Sequence, residues 1–257
     1  MERRLADKAA IVTGAAQGMG FAIAKALYEE GARVAIADID EHKVIESASK
    51  LDSDFNRALG GTVDVTDKNQ IHKFIKEIKT TWGGIDILVN NAGGALHTPH
   101  VLEEIEERHW DLVMNVNLKG AFLFCQTVIP EMAKQGRGSI VNISALAGHW
   151  RASLAGVQYT AAKAGLEGLT RQLAYDWGKK GIRVNAVAPT VTLTGDRVRG
   201  LWEQKSPDEQ AKVLSSIPLG RLCTPDEIAA VVVFLASEES SYVTGITVDV
   251  CGGRYLR

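Results

Sequence analysis

Residues 13–20 read Thr13-Gly14-Ala15-Ala16-Gln17-Gly18-Met19-Gly20, between an apolar run at Ala9–Val12 and a helical pattern at Phe21–Glu30. A glycine-rich loop between a buried strand and a helix is where a doubly wound sheet receives the pyrophosphate of a dinucleotide. Glycine lets the backbone approach the phosphates, and the helix N-terminus offers free N–H groups and the positive end of a dipole. By itself, the spacing G-x-x-x-G-x-G also fits a tight strand–helix turn without a ligand.

Short apolar runs alternate with segments of helical period along the rest of the chain. The runs are Ala9–Val12, Val34–Ala37, Ile87–Val89, Ile140–Ile143, Val184–Ala188 and Ile246–Val250, with a weaker one at Gly61–Val63. Their Val and Ile content is typical of strands buried on both faces of a parallel sheet. The helical patterns are Phe21–Glu30, Asp67–Trp82, Glu106–Lys134, Tyr159–Lys179 and Asp226–Leu235. This alternation predicts an α/β fold, a single doubly wound parallel sheet (Rossmann fold) of about seven strands with helices on both faces.

Length and composition fit one globular domain over residues 1–257. The chain is 46% hydrophobic and 23% charged with a net charge of −2, which favours neither a nucleic-acid surface nor a basic membrane patch. We expect no signal peptide, because the N-terminus lacks an apolar h-region, and no membrane span, because no run of about 18 apolar residues exists. The alternation is interrupted at about residues 190–216, where we expect a substrate lid.

The three cysteines are Cys125, Cys223 and Cys251. Their number is odd and they form no close pairs, so a disulfide framework or a metal site is not expected. Free thiols favour a reducing compartment, and we therefore expect a cytoplasmic protein.

An acidic residue follows the second apolar run, since Asp38 lies 18 residues after Gly20. A carboxylate in this position can accept hydrogen bonds from an adenosine ribose and would repel a 2′-phosphate. No basic residue lies in Ala15–Gln17, and Ile39 follows Asp38. We therefore expect the cofactor to be NAD rather than NADP. The alternative is that Asp38 is a solvated loop acid.

Two further loops belong to the same edge of the sheet. Asp64 and Val65 follow the third strand, where they could contact adenine, and Asn91-Ala92-Gly93 follows the fourth. Small residues in the latter loop would let the backbone come close to the second ribose.

Tyr159 and Lys163 are spaced i, i+4 in a helical pattern, which puts both side chains on one face of the helix. A free tyrosine has a pKa near 10, and a neighbouring ammonium favours the phenolate. Such a pair can carry acid–base chemistry. On its own, it also occurs by chance on surface helices.

As a set, the glycine loop, Asn91-Ala92-Gly93, Asn117, the Ser144 region and Tyr159-x-x-x-Lys163 resemble the short-chain dehydrogenase/reductase family, in order and in spacing, from about residue 5 to Gly253. The resemblance implies an alcohol dehydrogenase or carbonyl reductase in which Tyr159 transfers the proton. Lys163 would bind the nicotinamide ribose and lower the pKa of Tyr159, and Asn117 would hold a proton-relay water. The family also implies a homo-oligomer, usually a tetramer.

The cofactor-binding residues expected from these motifs fall in five loops and one helix. They are Gly14, Gln17, Gly18, Met19, Gly20, Asp38, Ile39, Asp64, Val65, Asn91, Ala92, Gly93, Tyr159, Lys163, Pro189, Thr190, Thr192 and Thr194.

The chain departs from the family pattern in two places. The family's catalytic serine aligns with Ala145, so we expect either that a local bulge presents Ser144 or that the hydroxyl is missing, with Ser153 as an outside candidate. We favour Ser144. Thr190 stands where the family usually has glycine, and it leaves the backbone less freedom.

The substrate pocket is expected between the loops after strands four, five and six. Candidate contacts are His97, His149, Trp150, Arg151, Arg197 and Trp202. Arg151 or Arg197 would suit an acidic or heavily hydroxylated substrate, such as a polyol, a sugar or a hydroxy acid. The alternative is that these are surface residues of variable loops. The competing functions are an NAD-binding sensor or scaffold and a 3-oxoacyl reductase.

Overall fold

The structure is a computed structural model that describes residues 3–152 and 154–256, without the side chains of Asp196, Arg197 and Leu201. Its described part contains a seven-stranded parallel sheet in the order β3-β2-β1-β4-β5-β6-β7. The strands are β1 Ala9–Thr13, β2 Arg33–Asp38, β3 Ala58–Thr62, β4 Ile87–Asn90, β5 Gly138–Ile143, β6 Ile182–Pro189 and β7 Thr247–Val250. The predicted fold class is confirmed.

Helices cover both faces of the sheet. The helices of the described residues are α1 Gly18–Glu29, α2 Glu41–Leu51, α3 Lys68–Trp82, α4 Glu107–Met114, α5 Gly120–Gln135, α6 Val157–Trp177, α7 Asp196–Glu203, α8 Pro207–Ser215 and α9 Pro225–Ala236. Between α4 and α5, residues Asn115–Lys119 form a π-helical turn. The single pattern predicted at Glu106–Lys134 is therefore interrupted once.

Helix α2 was not predicted from the sequence. Only Val44, Ser47 and Ala48 of this helix are buried, so its apolar pattern is too sparse to stand out. The Asp40 side chain caps it by accepting a hydrogen bond from the Lys43 N–H.

The core consists of one apolar layer on each face of the sheet. Successive strand residues point to opposite faces, so Val12 packs in the layer that contains α1 and α9, whereas Ile11 packs with α3 and α5. Strands β1, β2 and β4 are almost fully buried, as expected for a parallel sheet covered on both sides.

The chain runs from β1 outward to β3 and then crosses back to β4, on the other side of β1. Ligands of open parallel sheets bind at such a switch point, outside the carboxyl ends of the strands. The loops after β1, β4, β5 and β6 meet there, and this topology places the site.

The segment at residues 190–216 folds into the two short helices α7 and α8. Helix α8 begins with a capping box, in which Ser206 and Glu209 bond each other's backbone N–H. Val198 of α7 lines a cavity at the carboxyl ends of β4, β5 and β6. The role of this segment as a lid stays a prediction.

One stretch of helix, Glu107–Gln135, is long and apolar enough to cross a membrane by length and composition, with a mean hydropathy of 1.4 in its most apolar window. Half of that window is buried in the fold, where Phe124, Val128 and Met132 pack beneath the sheet. A core helix passes the same test, so this stretch is a weak indication of a membrane span.

Candidate active site

The glycine loop is fastened to the end of β4 by side-chain hydrogen bonds. The Thr13 hydroxyl oxygen accepts from the backbone N–H of Asn91 and of Ala92, both at 3.0 Å. The Asn91 amide donates to the carbonyls of Thr13 and Gly14, both at 2.9 Å. The loops predicted to bind the two halves of a dinucleotide therefore form one unit.

The loop brings its backbone close to the cavity at Gly14 and Gly20. A Cβ atom on Gly20 would lie 2.7 Å from Ala15 Cα, so no larger residue fits there. Helix α1 starts at Gly18, and Gln17 provides no side-chain cap, so its first N–H groups stay available. These features fit the pyrophosphate of a dinucleotide.

Asp38 lies beside this loop at the end of β2. One carboxylate oxygen accepts from the Ala16 N–H at 3.0 Å, and the other accepts from the Asp40 N–H at 3.2 Å. These bonds hold a negative charge next to the glycine loop, as the ribose-binding prediction requires.

The remaining residues predicted near adenosine are more loosely connected. Ile39 is 69% exposed. Asp64 accepts from the Thr66 N–H and hydroxyl, at 2.8 and 2.7 Å, and Val65 is buried. Neither these residues nor Asp38 line the cavity at the carboxyl ends of β4, β5 and β6.

A cavity of about 390 Å³ opens at the carboxyl ends of β4, β5 and β6, within the usual range for small-molecule sites. It combines predicted residues from both halves of the site. Those residues are Gly14, Gln17, Met19, Gly20, Asn91, Gly93, Ser144, Trp150, Arg151, Tyr159, Lys163, Pro189, Thr190, Thr192 and Thr194.

Tyr159 and Lys163 lie one turn apart on α6 and face this cavity together. The Lys163 ammonium nitrogen is 5.6 Å from the centre of the Tyr159 ring, and it donates to the Ile143 carbonyl at 2.7 Å. Burial lowers the pKa of Lys163 to about 8. Burial also raises the pKa of Tyr159 to about 12. The predicted lowering of the Tyr159 pKa is therefore wrong for the ligand-free protein, because desolvation of the phenolate dominates.

Asn117 is buried in the π-helical turn and holds the loop after β4. Its amide donates to the carbonyls of Gly94 and Val113, at 3.0 and 2.9 Å, and its carbonyl accepts from the Gly94 N–H at 2.8 Å. A Cβ on Gly93 would clash with Asn117 and lie 3.5 Å from the Lys163 Nζ. Asn117 and Lys163 therefore flank the same glycine.

Ser144 lies at the cavity wall, but its hydroxyl is bound from the other side. The hydroxyl donates to the Glu167 carboxylate at 2.9 Å, and both residues are buried. The Ser144 backbone N–H donates to the Val187 carbonyl at 2.8 Å, which continues the hydrogen bonds between β5 and β6. Ala145 is also extended, so the side chains of Ser144 and Ala145 point in opposite directions. The expected bulge that would turn Ser144 toward the substrate is not seen here.

His149 belongs to the same buried cluster. Its Nδ1 lies 2.9 Å from the Glu167 carboxylate, and its Nε2 lies 3.0 Å from Asp249, though out of line for a hydrogen bond. A Cβ on Gly148 would lie 2.9 Å from the Ser144 hydroxyl, so the loop packs directly on this cluster. The histidine predicted to contact substrate is enclosed by carboxylates instead.

Of the other residues predicted to contact substrate, some line the cavity and some do not. Trp150 and Arg151 line the cavity, whereas His97 is exposed and Trp202 half-buried away from its lining. The side chain of Arg197 and all of Ser153 lie outside the described residues.

Sequence reasoning missed Glu167 and Arg254. Arg254 lines the cavity from the C-terminal segment, and its only sequence signal is that it directly follows Gly252-Gly253. Glu167 lies four residues after Lys163 on the same helix, a spacing that could have placed it on the same face.

Comparison with known proteins identifies the family. A family model described as "Enoyl-(Acyl carrier protein) reductase" matches residues 14–254. The (2S)-[(R)-hydroxy(phenyl)methyl]succinyl-CoA dehydrogenase subunit BbsD of Thauera aromatica is 40% identical, over 97% of each chain. The 3-oxoacyl-[acyl-carrier-protein] reductase FabG of Thermotoga maritima is 42% identical, over 97% of this chain and 98% of its own.

Two further matches agree with these. The NAD-dependent glycerol dehydrogenase of Listeria innocua is 39% identical, over 98% of this chain and 96% of its own. The crystal structure of gox2181 superposes with a TM-score of 0.91 at 35% identity, over 98% of this chain and 97% of that one. The chain therefore belongs to the short-chain dehydrogenase/reductase family, and it is an oxidoreductase of CH–OH groups that uses a nicotinamide cofactor.

Proposed function

We propose that the protein is an NAD(H)-dependent oxidoreductase that interconverts a secondary alcohol and a ketone on a small polar substrate, namely a polyol, a sugar or a hydroxy acid. One observation carries this proposal. Tyr159 and Lys163 face the same cavity as the glycine loop, so a proton-transfer group and a dinucleotide cradle share one space. Such proximity is what hydride and proton transfer to one substrate requires.

Tyr159 is the proposed acid and base. In reduction the phenol gives its proton to the carbonyl oxygen, and in oxidation the phenolate takes the alcohol proton while the carbinol hydrogen leaves as hydride. The bound nicotinamide accepts or supplies that hydride. Burial raises the pKa of Tyr159 to about 12, so in the ligand-free protein this residue is a protonated phenol at neutral pH.

Lys163 and Asn117 support this proton transfer. An ammonium has three donors, and the Ile143 carbonyl takes one from Lys163. The others are free to bind the nicotinamide ribose and to stabilise the phenolate during oxidation. Asn117 shares Gly93 with Lys163 and is the proposed anchor for a relay water.

Asp38 supports NAD over NADP. Its carboxylate is held beside the glycine loop by the N–H groups of Ala16 and Asp40. A 2′-phosphate in this position would face a fixed negative charge, whereas ribose hydroxyls would find an acceptor. The relative named as an NAD-dependent glycerol dehydrogenase agrees with this choice and with a polyol-like substrate.

Two alternatives have specific support. A relative named as a 3-oxoacyl reductase favours reduction of an acyl carbonyl. Asp38 and the NAD preference proposed from it argue against this alternative. A sensor or scaffold that binds NAD without turnover is favoured by Ala145 and by the engagement of Ser144 with Glu167.

The test is a spectrophotometric assay of the purified protein with NAD⁺ or NADP⁺ and a panel of polyols, sugars and hydroxy acids. Tyr159→Phe should lower kcat by about 10²- to 10⁴-fold. The matched control is Tyr175→Phe, which changes an 86% exposed tyrosine of the same helix. NAD binding without turnover on any candidate would favour the sensor, and NADPH-linked reduction of 3-oxoacyl esters the acyl reductase.

We further propose a cytoplasmic homo-oligomer, a tetramer, that binds neither nucleic acid nor membranes. A shallow apolar depression lined by Leu118, Phe122 and Leu169 lies across α5 and α6, and Phe122 is 43% exposed. Gly168 leaves space on the same surface, where a partner helix could pack closely. Light scattering coupled to size exclusion measures the assembly directly.

A further inference from the structure

The C-terminal segment contributes an arginine to the cavity. After β7, Gly252 and Gly253 both adopt left-handed backbone, with φ of 61° and 83°. A Cβ on either would lie within 3 Å of Ile217 or Pro218, so this turn is closed tightly against the segment after α8. The turn delivers Arg254 to the cavity wall.

Arg254 lacks a negative partner among the side chains that the structure describes. Its Nη1 donates to the Thr190 hydroxyl at 3.4 Å, a long bond to a neutral group. Its Nε is buried without any hydrogen-bond partner. A guanidinium that lines a cavity and has no carboxylate partner among the described side chains favours an anion bound in that cavity.

A second guanidinium faces the same space. Arg151 lines the cavity and lies over the Trp150 ring at 5.0 Å, and Trp150 packs against Tyr255 with ring centres 5.8 Å apart. The C-terminal segment and the loop after β5 therefore form one wall. Burial lowers the pKa of Arg254, and the Arg151 charge lowers it further. Two cations near each other in a cavity favour a bound anion.

We propose that Arg254, with Arg151 beside it, binds a carboxylate of the substrate, so that the enzyme acts on a hydroxy acid and its oxo acid. This inference rests on the proposed function, because it names the substrate class of the same site. Guanidinium binds carboxylate through charge-assisted hydrogen bonds, and Arg254 stands at the cavity wall where such an anion would bind. Tyr159 lines the same cavity, so the acid end and the reacting carbinol of one small molecule can be held together.

The kinetic test compares acids with their own amides, which keep the carbinol and the shape but lose the charge. The pairs are lactate, 3-hydroxybutanoate and 4-hydroxypentanoate with the corresponding amides. The wild-type protein should prefer at least one acid over its amide. Arg254→Gln should raise KM for that acid by about 10- to 100-fold, with little change for the amide, and Arg254→Lys should lie between.

The control for loss of a positive charge is Arg108→Gln, at an exposed residue paired with Glu106. Thermal unfolding of each variant shows whether it folds, and Arg254→Lys keeps the test valid if Arg254→Gln does not. Equal KM for acid and amide in the wild type would overturn the proposal. A weaker Kd for NAD⁺ in Arg254→Gln would also overturn it, because Arg254 would then serve the cofactor.

A binding experiment separates this inference from the proposed function. Butanoate carries the acid but no carbinol, and calorimetry measures its binding to the NAD⁺ complex without turnover. Butanoate should bind, butanamide should not, and Arg254→Gln should abolish the signal. Butanoate binding without turnover of any substrate would reject the proposed function and leave the carboxylate site standing. Butanoate binding that Arg254→Gln does not change rejects the carboxylate site.

Discussion

Replacing Ser144 with alanine tests whether its hydroxyl serves the fold or the substrate. The hydroxyl donates to the buried Glu167 carboxylate at 2.9 Å, and His149 is the other partner of the same oxygen. Hydrogen bonds to charged groups contribute about 1.5–3 kcal/mol. We expect Ser144→Ala to lower the free energy of unfolding by about 2 kcal/mol, since a buried carboxylate loses a donor.

The stability assay is thermal and urea unfolding of the two proteins. For a chain of this size, about 2 kcal/mol corresponds to a fall in Tm of roughly 4–8 °C. The matched control is Ser139→Ala, which removes a buried hydroxyl that donates to the neutral Leu235 carbonyl at 2.9 Å. Its cost should be smaller, about 1 kcal/mol.

The kinetic assay measures whether the Ser144 hydroxyl contributes to catalysis. A hydroxyl that stabilises the substrate oxygen in the transition state contributes about 10²- to 10³-fold to kcat. Since Ser144 is bound to Glu167, we expect Ser144→Ala to change kcat by less than about threefold. A loss of kcat in the oxyanion range with unchanged stability would refute this reasoning and assign Ser144 to the substrate.

Two further predictions concern cofactor choice and Lys163. In initial-rate assays, Asp38→Ser should raise the ratio of kcat/KM for NADP⁺ to kcat/KM for NAD⁺ by at least about tenfold, because a fixed negative charge beside the ribose is removed. An unchanged ratio would contradict the role of Asp38 in binding the ribose. Burial lowers the pKa of Lys163 from 10.5 to about 8, so the unfolded chain binds more protons between these values and wild-type stability should rise with pH there. Lys163→Met removes the cost of burying the ammonium, about 3 kcal/mol at pH 7, but it also loses the hydrogen bond to the Ile143 carbonyl. In urea unfolding, this variant should therefore be about 1–2 kcal/mol more stable than wild type at pH 7. The difference in stability should become smaller toward pH 10. A variant less stable than wild type at pH 7 would show that the ammonium is better solvated than its burial indicates.

The fold could be predicted from the sequence because its signals are local. Apolar runs at Val34–Ala37 and Ile140–Ile143 are strands since both faces are covered, and the glycine loop must stand between a strand and a helix. Helix α2 was not predicted because its buried face consists of only three residues. The π-helical turn at Asn117 was not predicted because it shifts the helical register without a change in residue composition.

Some features of the candidate site could likewise be predicted from local sequence, and others depend on residues far apart in the chain. The sequence was enough to predict the Tyr159–Lys163 pair, the glycine loop and the place of Asp38, since each depends on residues within one element or one turn. The three-dimensional fold was needed to show that Ser144 bonds to Glu167, that His149 lies between two carboxylates, and that Arg254 reaches the cavity from the C-terminal segment. These contacts join residues that the chain keeps apart, and they form only when the sheet brings the ends of β5, β6 and β7 to one edge. The same burial set the Tyr159 pKa, because desolvation depends on what surrounds a side chain and not on its neighbours in sequence.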